Sequence, residues 1–302
     1  MRIVEPRRFH HKTGIEKNRI SRRKVLIICV VVLLASAGGA FALKNRHLFA
    51  SAKDSKNTPP TQVTDNQPDT NSINDQQDVA PPTVPPQKTL RQFAPNDFKN
   101  FYDQLKLPNL LPVENPPVIS GNDIADARIR QIAESRGYRL RSSPENGLSS
   151  VDGMPVQQTV VASWNSLKAA AATQGFQLSI VSSYRSVEDQ RNLFLSRLSA
   201  TGATIDQVAA GAADDKVNTV LITSSIPGYS KHHTGYTLDL LCGGWEFENF
   251  KNSPCQKWII ADNYKVAKEN GFIPSYPDGA DIQGPDPEAW EYVWVGAERL
   301  YN

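Results

Sequence analysis

Cysteine is scarce in this 302-residue chain, with three in all. Cys29 falls inside an apolar run, which leaves Cys242 and Cys255, thirteen positions apart, as a lone pair. Histidine is nearly as rare: of five, His10, His11 and His47 stand in the N-terminal region, so His232 and His233 are the imidazoles available to any site further on. Aromatic residues are almost missing between Lys44 and Lys88, a stretch rich in Pro, Asp, Asn, Gln, Ser and Thr. Such a composition cannot bury enough apolar surface to offset chain entropy, so residues 44–88 read as a disordered, extended linker. Its prolines are scattered rather than spaced as P-x-x-P, which removes the support for a partner-binding motif, and no internal repeat is evident.

The overall charge of +2 hides a split. Residues 1–24 carry nine cationic side chains against Glu5 and Glu16, a net of +7, and the remaining 278 residues then carry −5. A basic arm of this kind suits nucleic acid or the cytoplasmic side of a membrane. The adjoining segment decides for the membrane and against nucleic acid: Val25 to Leu43 is a run of nineteen uncharged, mostly apolar residues. At ~1.5 Å rise per residue it spans a hydrocarbon core of ~30 Å, and cations preceding such a segment stay inside the cell. The expectation is a basic cytoplasmic arm (1–24), a single transmembrane anchor (25–43) and an extracytoplasmic remainder. Ala40-Phe41-Ala42 offers the alternative of a cleaved signal peptide, which exports the same remainder.

Apolar periodicity returns at Phe93. Phe98, Phe101, Tyr102 and Leu105 fall at helical spacing, and Leu110 to Pro117 is extended, so residues 89–119 form a lead-in to a globular domain over 120–302. Within that domain the pattern predicts helices over 125–136 and 159–173, the second stopped by Gly175. A strand over 176–182 delivers Tyr184 and Arg185 to its end, and Ser186 caps a helix from Val187 to about Leu198, with Asp189 at its third position. Gly202 to Asn218 reads as a loop. Tyr236 to Leu240 is a strand, Trp258 to Asn270 a helix ended by Gly271, and Glu291 to Val295 a final strand with Glu288 just before it. In an exported chain Cys242 and Cys255 suit a disulfide closing a small loop; two zinc thiolates are the other reading.

Ser230-Lys231-His232-His233-Thr234-Gly235-Tyr236-Thr237-Leu238-Asp239 places an imidazole and a carboxylate seven positions apart around a glycine. Both groups are good ligands for a divalent metal, and a glycine between them lets the backbone turn both toward one point. Two ligands do not make a site, and the pair could equally be a loop histidine and a turn carboxylate.

Three separated segments add to that pair. Ser182-Ser183-Tyr184-Arg185-Ser186-Val187-Glu188-Asp189-Gln190 is similar to S-x-Y-R-S-x-x-x-Q, Pro227 to Gly235 continues to Asp239, and Lys257-Trp258 runs through Gly271-Phe272-Ile273-Pro274-Ser275-Tyr276-Pro277 to Glu288-Ala289-Trp290-Glu291. In order and spacing they resemble the M15B (VanY-like) zinc D-alanyl-D-alanine carboxypeptidases, over roughly residues 120–302. The resemblance implies an α+β fold in which a small antiparallel sheet carries the ligands and helices pack to one side. It implies Zn²⁺ on His232, Asp239 and the residue at 291, Glu288 as general base, Arg185 on the substrate and the oxyanion, and Ser183 and Gln190 as further substrate contacts. The implied substrate is the peptidoglycan stem peptide. Trp290 is expected to wall Glu288 and raise its pKa.

One position departs from the family. The last motif is E-x-W-H, and this chain has Glu291 in place of the ligand histidine; Val293 stands where an arginine is common. A carboxylate ligates Zn²⁺ at nearly the imidazole distance, but one imidazole with two carboxylates cancels the ion's charge, weakens its Lewis acidity and favours harder divalent cations. His233 is a possible substitute ligand. Three functions are consistent with these residues: a metal-dependent D,D-carboxypeptidase, a metal-free relative that binds stem peptides without cutting, and a peptidase acting on another wall bond.

Overall fold

A computed structural model describes residues 88–302. The expected cytoplasmic arm, the anchor over 25–43 and nearly all of the linker lie outside the described residues. Among the described residues no helix is long and apolar enough to cross a membrane.

The fold is α+β. Among the described residues seven helices, α1 (Pro95–Gln104), α2 (Asp123–Ser135), α3 (Gln158–Thr173), α4 (Val187–Ala200), α5 (Ile205–Ala209), α6 (Asp214–Leu221) and α7 (Pro254–Glu269), accompany eight strands. Two short antiparallel ladders, β1 (Leu110–Leu111) with β2 (Ser143–Pro144) and β3 (Ser149–Val151) with β4 (Met154–Val156), flank a four-stranded antiparallel sheet. That sheet holds β5 (Leu178–Ser182), β6 (Thr237–Cys242), β8 (Glu288–Trp294) and β7 (Phe272–Tyr276), in that spatial order.

Local chemistry sets several boundaries. The Asn122 side chain accepts from the N–H groups of Ile124 and Ala125 and opens α2, and the Ser186 hydroxyl oxygen accepts the Asp189 N–H at 3.0 Å and opens α4. Helix α3 ends at Gln174, where Gly175 takes φ +78°, a conformation in which a Cβ is disfavoured. The stretch 202–218, read as a loop, instead contains α5 and most of α6: the Thr204 hydroxyl and the Gln207 side chain form a reciprocal cap, a signal hidden among small polar residues. Helix α7 is also not the continuous helix that its apolar spacing suggests. Asp262, Asn263 and Tyr264 take φ of 52°, 58° and 61°, breaking the helix so that Asn263 can exchange two hydrogen bonds with the backbone of Phe93, at 3.0 and 2.8 Å. A partner 170 residues away in sequence overrides local helical preference there.

The helices fall into two groups with separate cores. Trp164, Leu167, Leu238, Leu240, Phe272 and Val293 lie at the centre of the first, where α1, α3 and α7 pack with the main sheet. The second is helical, built on Ile129, Phe194, Leu198, Val217 and Leu221 of α2, α4 and α6. The lead-in belongs to the first: Phe93, Phe98 and Tyr102 are buried in it, the Arg91 N–H donates to the Leu300 carbonyl at 2.9 Å, and the Asn302 N–H donates to the Thr89 carbonyl at 2.9 Å.

Candidate metal centre

Strands β6 and β8 run antiparallel with Asp239 directly opposite Glu291, so the two carboxylates are cross-strand neighbours. His232 comes from the turn that precedes β6, a 3-10 segment over Lys231–Thr234 closed by Gly235 at φ +74°. A side chain there would press on Leu148, with a Cβ only 2.9 Å from Leu148 Cδ2. This tight reversal is the role foreseen for the glycine. It sets His232 Nε2 3.4 Å from Asp239 Oδ2 and 3.4 Å from Glu291 Oε2. Three potential ligand atoms from these residues lie within 4.8 Å of one another, and all three residues are buried.

Whether these residues fit a cation can be judged from the donors around them. Asp239 Oδ1 and Glu291 Oε1 are buried and have no hydrogen-bond partner. Buried carboxylate oxygens without donors are costly, and a cation relieves that cost. The 3.4 Å separations also equal the edge of a tetrahedron whose centre lies ~2.1 Å from each corner, the Zn²⁺ ligand distance. His232 is oriented from behind: its Nδ1 lies 2.5 Å from the Ser183 carbonyl and donates to it, so Nε2 is the atom facing the carboxylates. Burial opposes a charged imidazole, yet the Asp239 and Glu291 carboxylates outweigh it and lift His232 to about 9. Burial likewise pushes Glu291 up, and the His232 imidazolium holds it down at about 2.

Glu288 joins the cluster through an irregularity in the sheet. Pairing between β7 and β8 passes from Pro274 with Tyr292 to Tyr276 with Glu288, so four steps of β8 answer two of β7. Glu288 thereby comes close enough to Glu291 for the two carboxyl groups to interact, although three positions separate them. Burial raises its carboxyl well above the usual range, the charges of Glu291 and Asp239 add to the rise, and Arg185 opposes it. Burial is the kind of cause foreseen for this shift; the Trp290 ring, expected as the wall, packs with its centre 4.9 Å from that of Phe247.

Arg185 is half-buried and held by two hydrogen bonds, to Gln190 Oε1 at 2.8 Å and to the Ser182 hydroxyl at 3.1 Å. Ser183 and Gln190, expected to touch substrate, are positioned instead behind the site. The Ser183 hydroxyl donates to the Pro155 carbonyl at 2.7 Å, and the Gln190 amide donates to the Ser225 carbonyl at 2.6 Å while its oxygen holds Arg185. With 3% and 0% exposure, they have little surface to offer a ligand. His233 is excluded as a substitute ligand because both ring nitrogens are engaged: Nε2 accepts the Gly228 N–H at 3.0 Å and Nδ1 donates to the Arg185 carbonyl at 2.7 Å. Burial presses its pKa down to about 4, so this imidazole stays neutral. Cys242 and Cys255 are bonded to each other, with Cα atoms 5.8 Å apart, which removes them as thiolate ligands.

Sequence reasoning passed over Lys231, Tyr102 and Tyr276. Lys231 Nζ donates to the Ser275 carbonyl at 2.5 Å and lies over the rings of Tyr276 and Tyr102, at 4.0 and 4.7 Å. The available signal was a lysine directly before a ligand histidine.

Residues 153–297 match the family model VanY, described as D-alanyl-D-alanine carboxypeptidase. YodJ of Bacillus subtilis, named as a putative carboxypeptidase, is 30% identical over 131 residues, which are 42% of this chain and 41% of that protein. A D-alanyl-D-alanine carboxypeptidase of Enterococcus faecalis is 28% identical over 140 residues, 44% of this chain and 47% of its own. The chain therefore spans less than half the length of these curated relatives. Among solved structures, a vancomycin-resistance D,D-pentapeptidase of the VanY type in complex with Zn(II) is 24% identical, with a TM-score of 0.39 over 54% of this chain and 82% of that one.

Proposed function

From the membership of this chain in the VanY-like family of M15 peptidases, we propose that it is a metal-dependent D-alanyl-D-alanine carboxypeptidase that removes the terminal D-alanine of peptidoglycan stem peptides. The observation that carries the reading is the buried His232, Asp239 and Glu291 cluster, with its two unpartnered carboxylate oxygens. Those three residues would hold the cation, Zn²⁺ or a harder divalent ion. When bound, such an ion polarises a carbonyl and lowers the pKa of water.

The chain's own groups supply the rest. Glu288, buried beside two other carboxylates, has the raised affinity for a proton that a general base at neutral pH requires. Its carboxylate takes a proton from the attacking water and returns it to the nitrogen of the departing D-alanine. Arg185 is anchored through two of its five N–H groups, which leaves others for the substrate carbonyl as negative charge develops on its oxygen. Residues 25–43, as an anchor, would keep this domain on the outer side of the membrane, where stem peptides are found.

The test is release of D-alanine from a stem pentapeptide by the full-length chain, with added Zn²⁺ or Mn²⁺ and with chelator. Release that chelator abolishes supports the reading. Glu291→His should raise metal affinity and turnover; an unchanged affinity would mean that position 291 does not contribute to the site. A second reading, binding of stem peptides without cleavage, is favoured by Glu291 itself, since two carboxylates neutralise a divalent ion. Peptide binding without release under any metal would establish it.

A further inference from the structure

Glu288 is the first residue of β8, so its placement depends on the connection 277–287 that leads to it from β7. That connection is fastened to the helices. Gly284 and Arg136, the residue that closes α2, exchange two hydrogen bonds: the Gly284 N–H donates to the Arg136 carbonyl at 2.8 Å, and Arg136 Nε donates to the Gly284 carbonyl at 3.1 Å. The Asp286 N–H donates to the carbonyl of Ile222, just past α6, at 2.9 Å. Earlier in the connection, Asp281 exchanges two hydrogen bonds with Asn96 of α1, at 3.0 and 2.8 Å. Glycine permits the close fit: a Cβ at Gly137 would stand 2.4 Å from the Ile282 carbonyl oxygen, and one at Gly284 3.0 Å from the Tyr138 ring. The ion pair between Arg136 and Asp286, at 3.6 Å with Asp286 two-thirds exposed, adds little.

What lies between this clasp and Glu288 is stiff. The run is Gly284-Pro285-Asp286-Pro287-Glu288, in which both prolines fix their own φ at ~−65° and narrow the choices of the residue before them. A shift at Gly284 therefore carries through to Glu288 with few torsions left to absorb it. An arginine at the end of a helix ordinarily serves the helix dipole; here its Nε is given to Gly284. We propose that Arg136 is a positioning residue for Glu288: it clasps the proline arm, and the helical core thereby sets where the general base stands. Arg136 and Gly137 lie outside the family-matched residues 153–297, so this contact joins a segment beyond the family model to the arm that carries Glu288.

Glu288 has this role only under the reaction proposed above, and a double-mutant cycle on the full-length chain keeps the two apart. The native chain, Arg136→Met, Pro287→Gly and the double variant are compared by D-alanine release, by calorimetric titration with Zn²⁺ and by thermal midpoint. Arg136→Met removes the Nε donor, whereas Pro287→Gly leaves the clasp in place and loosens the arm. Each should lower kcat by about tenfold or more while KM and Zn²⁺ affinity stay within about twofold, because a misplaced base acts on the chemical step alone. The double variant should lose no more than the larger single loss, since both changes cut one path. Losses that multiply in the double variant, or an unchanged kcat in Arg136→Met whatever its midpoint, would overturn the proposal and leave Arg136 a tie between helix and loop. If Arg136→Met gives no folded protein, Arg136→Lys, which keeps the charge but lacks the planar fork, is read by the same comparison. If no form, native included, releases D-alanine with any metal, the metallopeptidase reading fails by itself, and amide hydrogen exchange over residues 286–292 decides this one. Exchange about tenfold faster in Arg136→Met than in the native chain would support the clasp, and equal exchange would overturn it.

Discussion

Among the described residues two places bury carboxylates, and they treat them in opposite ways. In the helical core, Asp126 is 3% exposed and surrounded by donors: the N–H groups of Ile119 and Ser120 at 2.8 and 2.7 Å, and the Ser120 hydroxyl at 2.6 Å. In the sheet, Asp239 and Glu291 are 7% and 4% exposed, face a single imidazole, and keep one oxygen each without any donor. The first arrangement is a joint that ties the entry of α2 to the chain before it. In the second, the chain leaves part of the desolvation cost uncompensated, and a ligand that brings positive charge offsets it. Buried carboxylates therefore mark a site only when the fold declines to satisfy them.

Exchanging the two kinds of carboxylate for amides breaks the comparison most sharply. Asp239→Asn should weaken Zn²⁺ by about 100-fold or more, as loss of a ligand exceeds the penalty known for outer-shell changes. The metal-free midpoint should stay within a few degrees, because asparagine keeps an oxygen facing His232 and Glu291 still faces the same imidazole; titration calorimetry and thermal unfolding in chelator read both. A large loss of metal-free stability would show that Asp239 is a structural joint like Asp126.

The disulfide beside the site gives the next largest effect. Removing it through Cys242→Ser with Cys255→Ser should cost about 3 kcal/mol for a loop of thirteen, measured by denaturant unfolding. Metal affinity should change little, since neither sulfur is a ligand.

Asp126→Asn should cost about 2 kcal/mol through its charge-assisted hydrogen bonds. Burial alone would raise this carboxyl, yet the Ser120 and Ile119 donors hold it below the usual carboxylate range. A depressed pKa contributes stability that is complete above the unfolded value near ~3.9 and is lost as pH falls through the lower folded value. Unfolding followed from about pH 6 to about pH 2 should show the native chain losing this increment in acid. The amide variant should lack it throughout, and an identical acid profile in both would remove Asp126 from the account.

Much of this organisation was legible in the chain. The cap at Ser186 and the stop at Gly175 are local, and a few adjacent residues carry each signal. His232 and Asp239 stood out for a similar reason, since a glycine turn and a strand join them, whereas Glu291 was expected through the family resemblance alone. What could not be read depends on residues far apart in sequence. Asn263 breaks α7 because Phe93 arrives beside it. Gln190 supports Arg185 instead of contacting a ligand because the loop at Ser225 takes its amide. His233 differs from its neighbour His232 because Gly228 and Arg185 occupy its two nitrogens.

By itself the sequence determined which chemical groups are present and which backbone turns they sit on, because capping, glycine conformation and strand alternation are short-range. Tertiary structure alone decided which buried groups would be satisfied, since that depends on partners from other segments: Ser120 and Ile119 for Asp126, the Ser183 carbonyl for His232, and the Ser275 carbonyl with the Tyr102 and Tyr276 rings for Lys231.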